Sequence, residues 1–334
     1  MAAIGSWKRT AFPAQCAPFG RAAIAAARQR GEHDTVPYQF HTLDVFTADR
    51  FAGNQLAVVM DAGALTSVQM QSIAREFAIS ETVFVLPPSN PAHSAKIRIF
   101  TPGLELPFAG HPTIGTAVLL ASLKASGAPG MDEALIVLEE SIGIVRVGVR
   151  HKAGEAAFAE FDTPRLPEPQ SAPISIDRMA DALSMSPAEI GFENHRPTRY
   201  SAGVPYSFVP VRDLASIARA KMILPYWESA FGAYGAYVYC RETAHTTSHF
   251  HARMFAPDLI GEDPATGSAA AAFAAVLLRF DDIKDGSRRM VIEQGYEMGR
   301  PSSIELEITV TGGQLRLVRI GGRAVRVSSG TLEL

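Results

Sequence analysis

The sequence predicts an α+β chain of two pseudo-symmetric halves, and three observations predict it. The segments His111-Pro112-Thr113-Ile114-Gly115-Thr116-Ala117 and Asp263-Pro264-Ala265-Thr266-Gly267-Ser268-Ala269 share the pattern [His/Asp]-Pro-x-x-Gly-[Thr/Ser]-Ala, and each runs into an apolar helical stretch. Upstream, Arg98-Ile99-Phe100-Thr101-Pro102 is echoed by Arg253-Met254-Phe255-Ala256-Pro257. Each half also sets several strand runs around one long helix rather than alternating βαβ units. A doubly wound nucleotide-binding fold is rejected on that ground, and neither G-x-G-x-x-G nor G-x-x-x-x-G-K-[ST] is present.

In chain order, Gln39–Thr47 alternates as a strand and Asn54–Met60 reads as a second, with Gly53 at the turn. Thr66-Ser67-Val68-Gln69 is a capping box, and the helix behind it places Met70, Ile73, Ala74 and Phe77 on one face. Strands follow at Thr82–Leu86, opened by Glu81, and at Ala95–Phe100. The first signature opens a helix over Pro112–Ser122, followed by strands at Leu135–Glu139, Gly143–Arg150 and Ala156–Phe161. Pro164, Pro167, Pro169 and Pro173 mark a linker. Beyond it a short helix spans Ile176–Leu183, and strands run over Ser207–Val211, Ala236–Cys240 and His249–Phe255. The second signature opens a helix over Pro264–Arg279, with Asp263 as its N-cap. Strands at Arg289–Gln294, Ile304–Val310, Gln314–Ile320 and Ala324–Ser328 end the chain. The expected division is an N-terminal extension over 1–37, a first half over 38–165, a second half over 170–318, and C-terminal strands over 319–334 that return to the first half.

Composition bounds the function. The chain has 334 residues, 47% of them hydrophobic and 19% charged, with a net charge of −3, so a general nucleic-acid binder is not expected. No apolar run approaches the roughly 18–20 residues of a membrane span. Two cysteines, Cys16 and Cys240, make neither a disulfide framework nor a Cys-rich zinc site, and suggest a reducing cytoplasm. Residues 1–31 carry Lys8, Arg9, Arg21, Arg28 and Arg30 and no acid. That composition suits an organelle-targeting peptide or a dispensable extension, and the segment is set aside for fold reasoning.

The two signatures carry the chemistry. A helix N-terminus offers unpaired N–H groups and about half a positive charge, so it attracts carboxylates. Two converging N-termini grip a small anionic substrate, and the small residues Gly115, Thr116 and Ala117, and Gly267, Ser268 and Ala269, let another backbone or a ligand approach closely. Substrate binding is expected at Gly110, Thr266, Gly267 and Ser268. Capping alone gives no reason for a histidine at position 111, whereas proton transfer or hydrogen bonding does.

Several separate motifs resemble the PhzF (phenazine biosynthesis) family of isomerases. They are Asp44-Val45-Phe46 with Phe51-Ala52-Gly53-Asn54, Ser80-Glu81-Thr82-Val83-Phe84-Val85, Glu105-Leu106-Pro107-Phe108-Ala109-Gly110-His111-Pro112-Thr113, Gly261 to Ala269, and Gly299-Arg300-Pro301-Ser302. Gln55 departs from the family's usual proline and is expected to alter a turn only. The resemblance implies a diaminopimelate-epimerase-like fold, each half a curved mixed sheet wrapped around its central helix, and a homodimer. It implies a cofactor-free proton shuttle without metal, in which the family's catalytic glutamate, histidine and aspartate fall on Glu81, His111 and Asp263. Ser268 falls at a substrate-holding position. In the type member a carboxylate removes the C3 proton of trans-2,3-dihydro-3-hydroxyanthranilate and a proton is returned elsewhere on the ring.

Weaker signals are read as structural. His245, His249 and His251 match no zinc spacing and lack an adjacent acidic partner in sequence. Arg98 and Arg253 read as ion-pair residues, Glu262 as an exposed neighbour, and Glu139-Glu140 as a solvated turn. The function expected is an isomerase moving a proton on a small carboxylate-bearing substrate. The alternatives are an epimerase or racemase of an amino-acid-like compound, and a binding protein that keeps the cleft without turnover.

Overall fold

The computed structural model describes residues 37–124, 131–171, 175–257 and 261–334. The basic extension and Cys16 lie outside these residues. Residues 38–332 form one compact unit. No helix among the described residues is long and apolar enough to cross a membrane.

One connectivity is used twice. In the first copy, strands β1 (Tyr38–Val45) and β2 (Asn54–Val59) pair antiparallel. Helix α1 (Ser67–Phe77) then carries the chain to β3 (Glu81–Leu86), parallel to β2, and β3 pairs antiparallel with β4 (Ala95–Phe100). The two-residue β5 (Glu105–Leu106) pairs with β4 and leads into α2 (Gly110–Lys124). Strand β6 (Met131–Glu140) returns parallel to β4, and β7 (Gly143–Lys152) and β8 (Ala157–Asp162) extend the sheet antiparallel. After β9 (Glu168–Pro169) and α3 (Ile176–Leu183) the second copy begins. Here β10 (Thr198–Ser201) pairs antiparallel with β11 (Pro205–Pro210), and helices α4 (Leu214–Arg219) and α5 (Leu224–Phe231) connect to β12 (Gly235–Cys240), parallel to β11. Strand β13 (Phe250–Ala256) pairs with β12 and with the short β14 (Gly261–Asp263). Helix α6 (Gly267–Phe280) follows, then β15 (Gly286–Gln294) parallel to β13, β16 (Ser302–Thr311) and β17 (Gln314–Leu332).

Strand β17 is one continuous element where two were expected. Its first part pairs with β16, Arg319–Ala324 pairs with β8, and Ala324–Leu332 pairs with β1. It thereby stitches the second copy to the first. Helices α4 and α5 and the strand β10 were not foreseen. The two helices are short, and only Ser216, Ile217, Trp227, Ala230 and Phe231 are buried in them, too few positions to print a helical period.

The expected capping box at Thr66 and Gln69 is present, and Met70, Ile73 and Ala74 are buried beneath α1. The central helices differ in kind. Every residue of α2 from Gly110 to Leu120 is buried, and α6 is buried from Ala269 to Leu277. A helix apolar on all sides belongs inside a core. Gly115 explains how closely α2 packs, because a Cβ there would lie 2.5 Å from the Leu56 side chain and 2.8 Å from that of Val45.

The backbone pairings correct the register of the internal repeat. Ile99 pairs with Leu106, and Met254 pairs with Asp263, so with Arg98 matched to Arg253, Leu106 corresponds to Asp263. Four residues later both central helices begin, at Gly110 and Gly267. The counterpart of His111 is therefore Ser268, not Asp263, and the sequence match is displaced by five positions. The shared Pro-x-x-Gly pattern misled because a glycine occurs both at and inside the start of α2. Asp263 is also not an N-cap. It ends β14, Thr266 precedes α6, and Pro264 lies outside the helix.

The arginine pair is structural in both copies. Arg98 binds Glu105 in a fork at 2.7 and 2.6 Å, and Arg253 binds Glu262 at 2.7 and 2.9 Å. Glu262 is thus paired rather than an idle exposed neighbour. His251 sits between Glu293 and Glu297 at 2.7 and 3.1 Å, so the acidic partners absent in sequence are supplied in space. Burial would lower its pKa, but the two carboxylates dominate and raise it to about 9. No cluster of three metal-ligating side chains occurs among the described residues. Glu139 and Glu140 are both buried, against the expectation of a solvated turn.

Candidate active site

The starts of α2 and α6 abut. A Cβ on Gly110 would lie 3.0 Å from the Gly267 Cα, and one on Gly267 would lie 3.3 Å from the Gly110 Cα. Only residues without side chains allow this approach. It brings the unbonded N–H groups and positive ends of two long helices to one place.

A cavity of about 70 Å³ opens at this junction, lined by Glu81, Gly110, His111, Asp263, Thr266, Gly267 and Ser268 among others. Every site residue named from the sequence therefore borders the same hollow. It continues into an apolar lobe of about 210 Å³, with Leu106, Val204, Tyr206 and Met254 common to both and Trp227 and Tyr234 farther out. A larger hollow of about 310 Å³, bounded by Asp49, His245 and Tyr296, shares none of these residues. The close Glu81–His111 pair at two abutting helix starts, not volume, selects the smaller one.

Glu81 is the first residue of β3, and β3 is held by β2 and β4 on its two sides. His111 lies in the first turn of α2 and is 4% exposed. Its Nε2 lies 3.0 Å from the Glu81 Oε2, and neither atom has an aligned hydrogen-bond partner among the described residues. Burial alone would lower the His111 pKa. The Glu81 charge, with smaller help from Asp263 and the Gln55 backbone, outweighs it and raises the value. Gln55 itself lies in β2 rather than in a turn, so its departure from the family pattern sits beside the histidine.

Asp263 is gripped on both oxygens. Asn54 Nδ2 donates to Oδ1 at 2.8 Å and Thr266 Oγ1 donates to Oδ2 at 2.5 Å. Asn54 also donates to the Ala265 carbonyl, and Gln294 Nε2 donates to the Asp263 carbonyl at 2.7 Å. Burial and the nearby Glu81 charge push the Asp263 carboxyl up to about 6, against the His111 charge and the two donors. Ser268 Oγ lies 2.7 Å from the Tyr206 hydroxyl, whose own pKa burial raises.

Asn54, Tyr206 and Gln294 were not named as site residues. Asn54 stood inside the Phe51-Ala52-Gly53-Asn54 motif, which was a signal left unused. Tyr206 and Gln294 reach the site only through sheet pairing and left no local signal.

The polar groups break the two-fold relation of the backbone. The counterpart of His111 is Ser268. Arg98 pairs with Phe84 and its match Arg253 pairs with Val238, so three residues back along each strand the counterpart of Glu81 is Gly235, a residue without a side chain. The cavity thus has a single carboxylate–imidazole pair aimed into it from one side.

Comparison with known proteins identifies the family. The family model described as phenazine biosynthesis-like protein, PhzC-PhzF, matches residues 43–330, and the chain belongs to this family. It is 52% identical over 296 residues to an uncharacterized isomerase from Mesorhizobium japonicum, covering 86% of this chain and 96% of that one. It is 33% identical to trans-2,3-dihydro-3-hydroxyanthranilate isomerase from Pseudomonas chlororaphis, covering 89% of this chain and all of the relative. Among solved structures, a predicted epimerase from Pseudomonas aeruginosa is 31% identical with a TM-score of 0.71, covering 88% and 99% of the two chains. A PhzF-family protein from Bacillus anthracis shares the fold at a TM-score of 0.80 and 24% identity, covering 89% and 99%. The protein is a PhzF-type isomerase.

Proposed function

We propose that the protein isomerises a small carboxylate-bearing substrate by moving one proton, without a cofactor, and that it acts on trans-2,3-dihydro-3-hydroxyanthranilate or a close analogue. The observation that carries this reading is the asymmetry of the cavity. A two-base racemase needs a competent base on each face of the substrate carbon. The two-fold-related pairs here are His111 with Ser268 and Glu81 with Gly235, and both oxygens of Asp263 already accept hydrogen bonds.

In this mechanism the substrate carboxylate docks against the N–H groups at the starts of α2 and α6. Its ring extends toward the apolar lobe beyond Tyr206 and Met254. Glu81 removes the C3 proton, and electrons move from the C–H bond into the conjugated system. Glu81 returns the proton farther along the ring, so proton and charge balance without an external acid. His111, held protonated by Glu81, polarises the electron-accepting end, while Asp263 keeps the imidazolium in place. Ser268, braced by Tyr206, holds the substrate.

Glu81→Gln keeps the shape of the side chain and removes its basicity. It is expected to fold normally and to lose about 10²–10⁴-fold in kcat. Steady-state kinetics on the folded variant checks this, and a rate within a factor of a few of wild type removes Glu81 from its role.

A further inference from the structure

We propose that Glu140 is held as a neutral carboxylic acid that donates to Thr113 and thereby fixes the first turn of α2, making it a positioning residue for His111. The positioning role rests on the reading of His111 given above; the protonation of Glu140 does not.

The argument begins with one hydrogen. Thr113 Oγ1 lies 2.8 Å from the Ala109 carbonyl and 2.8 Å from Glu140 Oε1, with all three groups buried. A threonine hydroxyl has one proton to give, and a carbonyl has none. If Thr113 donates to Ala109, its contact with Glu140 is attractive only when Glu140 carries the proton. A bare carboxylate would instead claim the Thr113 proton and set two acceptors against each other at Ala109. Among the described residues Glu140 Oε2 has no hydrogen-bond partner. That is bearable for the carbonyl oxygen of a neutral acid and very unfavourable for a buried carboxylate.

The other copy of the fold offers an independent comparison. Lys96 pairs with Glu139 and His251 pairs with Glu293, so the counterpart of Glu140 is Gln294. Gln294 is permanently neutral and hydrogen-bonds Thr266 and the Asp263 backbone beside the start of α6. The same position at both helix starts is thus filled by a side chain that brings hydrogen bonds without charge.

The charged neighbours do not favour an ionised Glu140. On its own strand, Glu139 accepts from the Ser89 and Asn90 N–H groups and from His93. On α2, His111 is engaged with Glu81. On β4, Lys96 is exposed and Arg98 is bound to Glu105, and on β7 Arg146 is exposed. Burial pushes the Glu140 carboxyl up to about 8, opposed only by Thr113.

The test uses Glu140→Gln and Glu140→Ala in the full chain, with stability followed by denaturant unfolding across pH. A carboxyl raised from 4.5 to about 8 keeps its proton in the folded state while the unfolded chain loses it. Between those values the wild-type folding constant therefore falls, relative to that of E140Q, about tenfold per pH unit, and outside them the two run parallel. Parallel curves throughout overturn the protonated state, whatever the outcome for Glu81. For positioning, E140Q is expected to rescue the turnover that E140A loses and to show less decline above pH 8 than wild type. Equal kcat in E140A, or identical alkaline profiles for wild type and E140Q, overturns the positioning role.

Discussion

Asn54 shows how a side chain remote in sequence from the signatures sets their chemistry. Its amide donates to Asp263 across 209 positions of chain, and Thr266 supplies the second donor. Both favour the carboxylate, whereas burial and the Glu81 charge favour the acid and prevail, leaving the pKa at about 6. Under the proposed mechanism the ionised form is needed to hold the His111 imidazolium. Activity should then rise with pH through about 6. Replacing Asn54 by leucine removes one donor at similar volume and should carry the acid limb of kcat/KM upward by about one pH unit. A limb that stays in place would separate Asp263 ionisation from turnover.

The helix starts decide whether those side chains meet. Alanine in place of glycine inside a helix ordinarily stabilises by about 1 kcal/mol. At position 110 the new methyl would sit 3.0 Å from the Gly267 Cα and 3.2 Å from its carbonyl carbon, and backbone cannot swing aside as a side chain can. Overpacking at about 1–3 kcal/mol outweighs the propensity gain. Gly110→Ala should therefore lower the denaturation midpoint and reduce kcat by parting the two helix ends, whereas an unchanged or raised midpoint would show that the ends can yield. Much at this scale is legible in the sequence. The α1 capping box, the burial of Met70, Ile73 and Ala74, and the strand at Ala95–Phe100 all followed from local pattern. Glu140 was misread because a glutamate pair looks solvated until partners such as Thr113 arrive from elsewhere.

At the scale of the molecule, the duplication was visible in the sequence but its register was not. The pattern His/Asp-Pro-x-x-Gly matched two small-residue clusters, and strand pairing in space moved one of them by five positions. That correction turns an apparent His–Asp symmetry into a cavity with one carboxylate–imidazole pair. Strand β17 could not be foreseen as one element because its apolar alternation is interrupted by Gly321 and Gly322. Phe46 lies against the second of these, where a Cβ would meet its ring at 2.4 Å.

The direct test follows trans-2,3-dihydro-3-hydroxyanthranilate by NMR in deuterated buffer with the wild-type protein and Glu81→Gln. The account predicts, with wild type, a shifted double bond, loss of the C3 proton, and at the receiving carbon that same hydrogen, replaced by deuterium to the extent that the Glu81 acid exchanges with solvent before return, and none of these with the variant. Inversion of a stereocentre without a bond shift, or equal conversion by the variant, would contradict it.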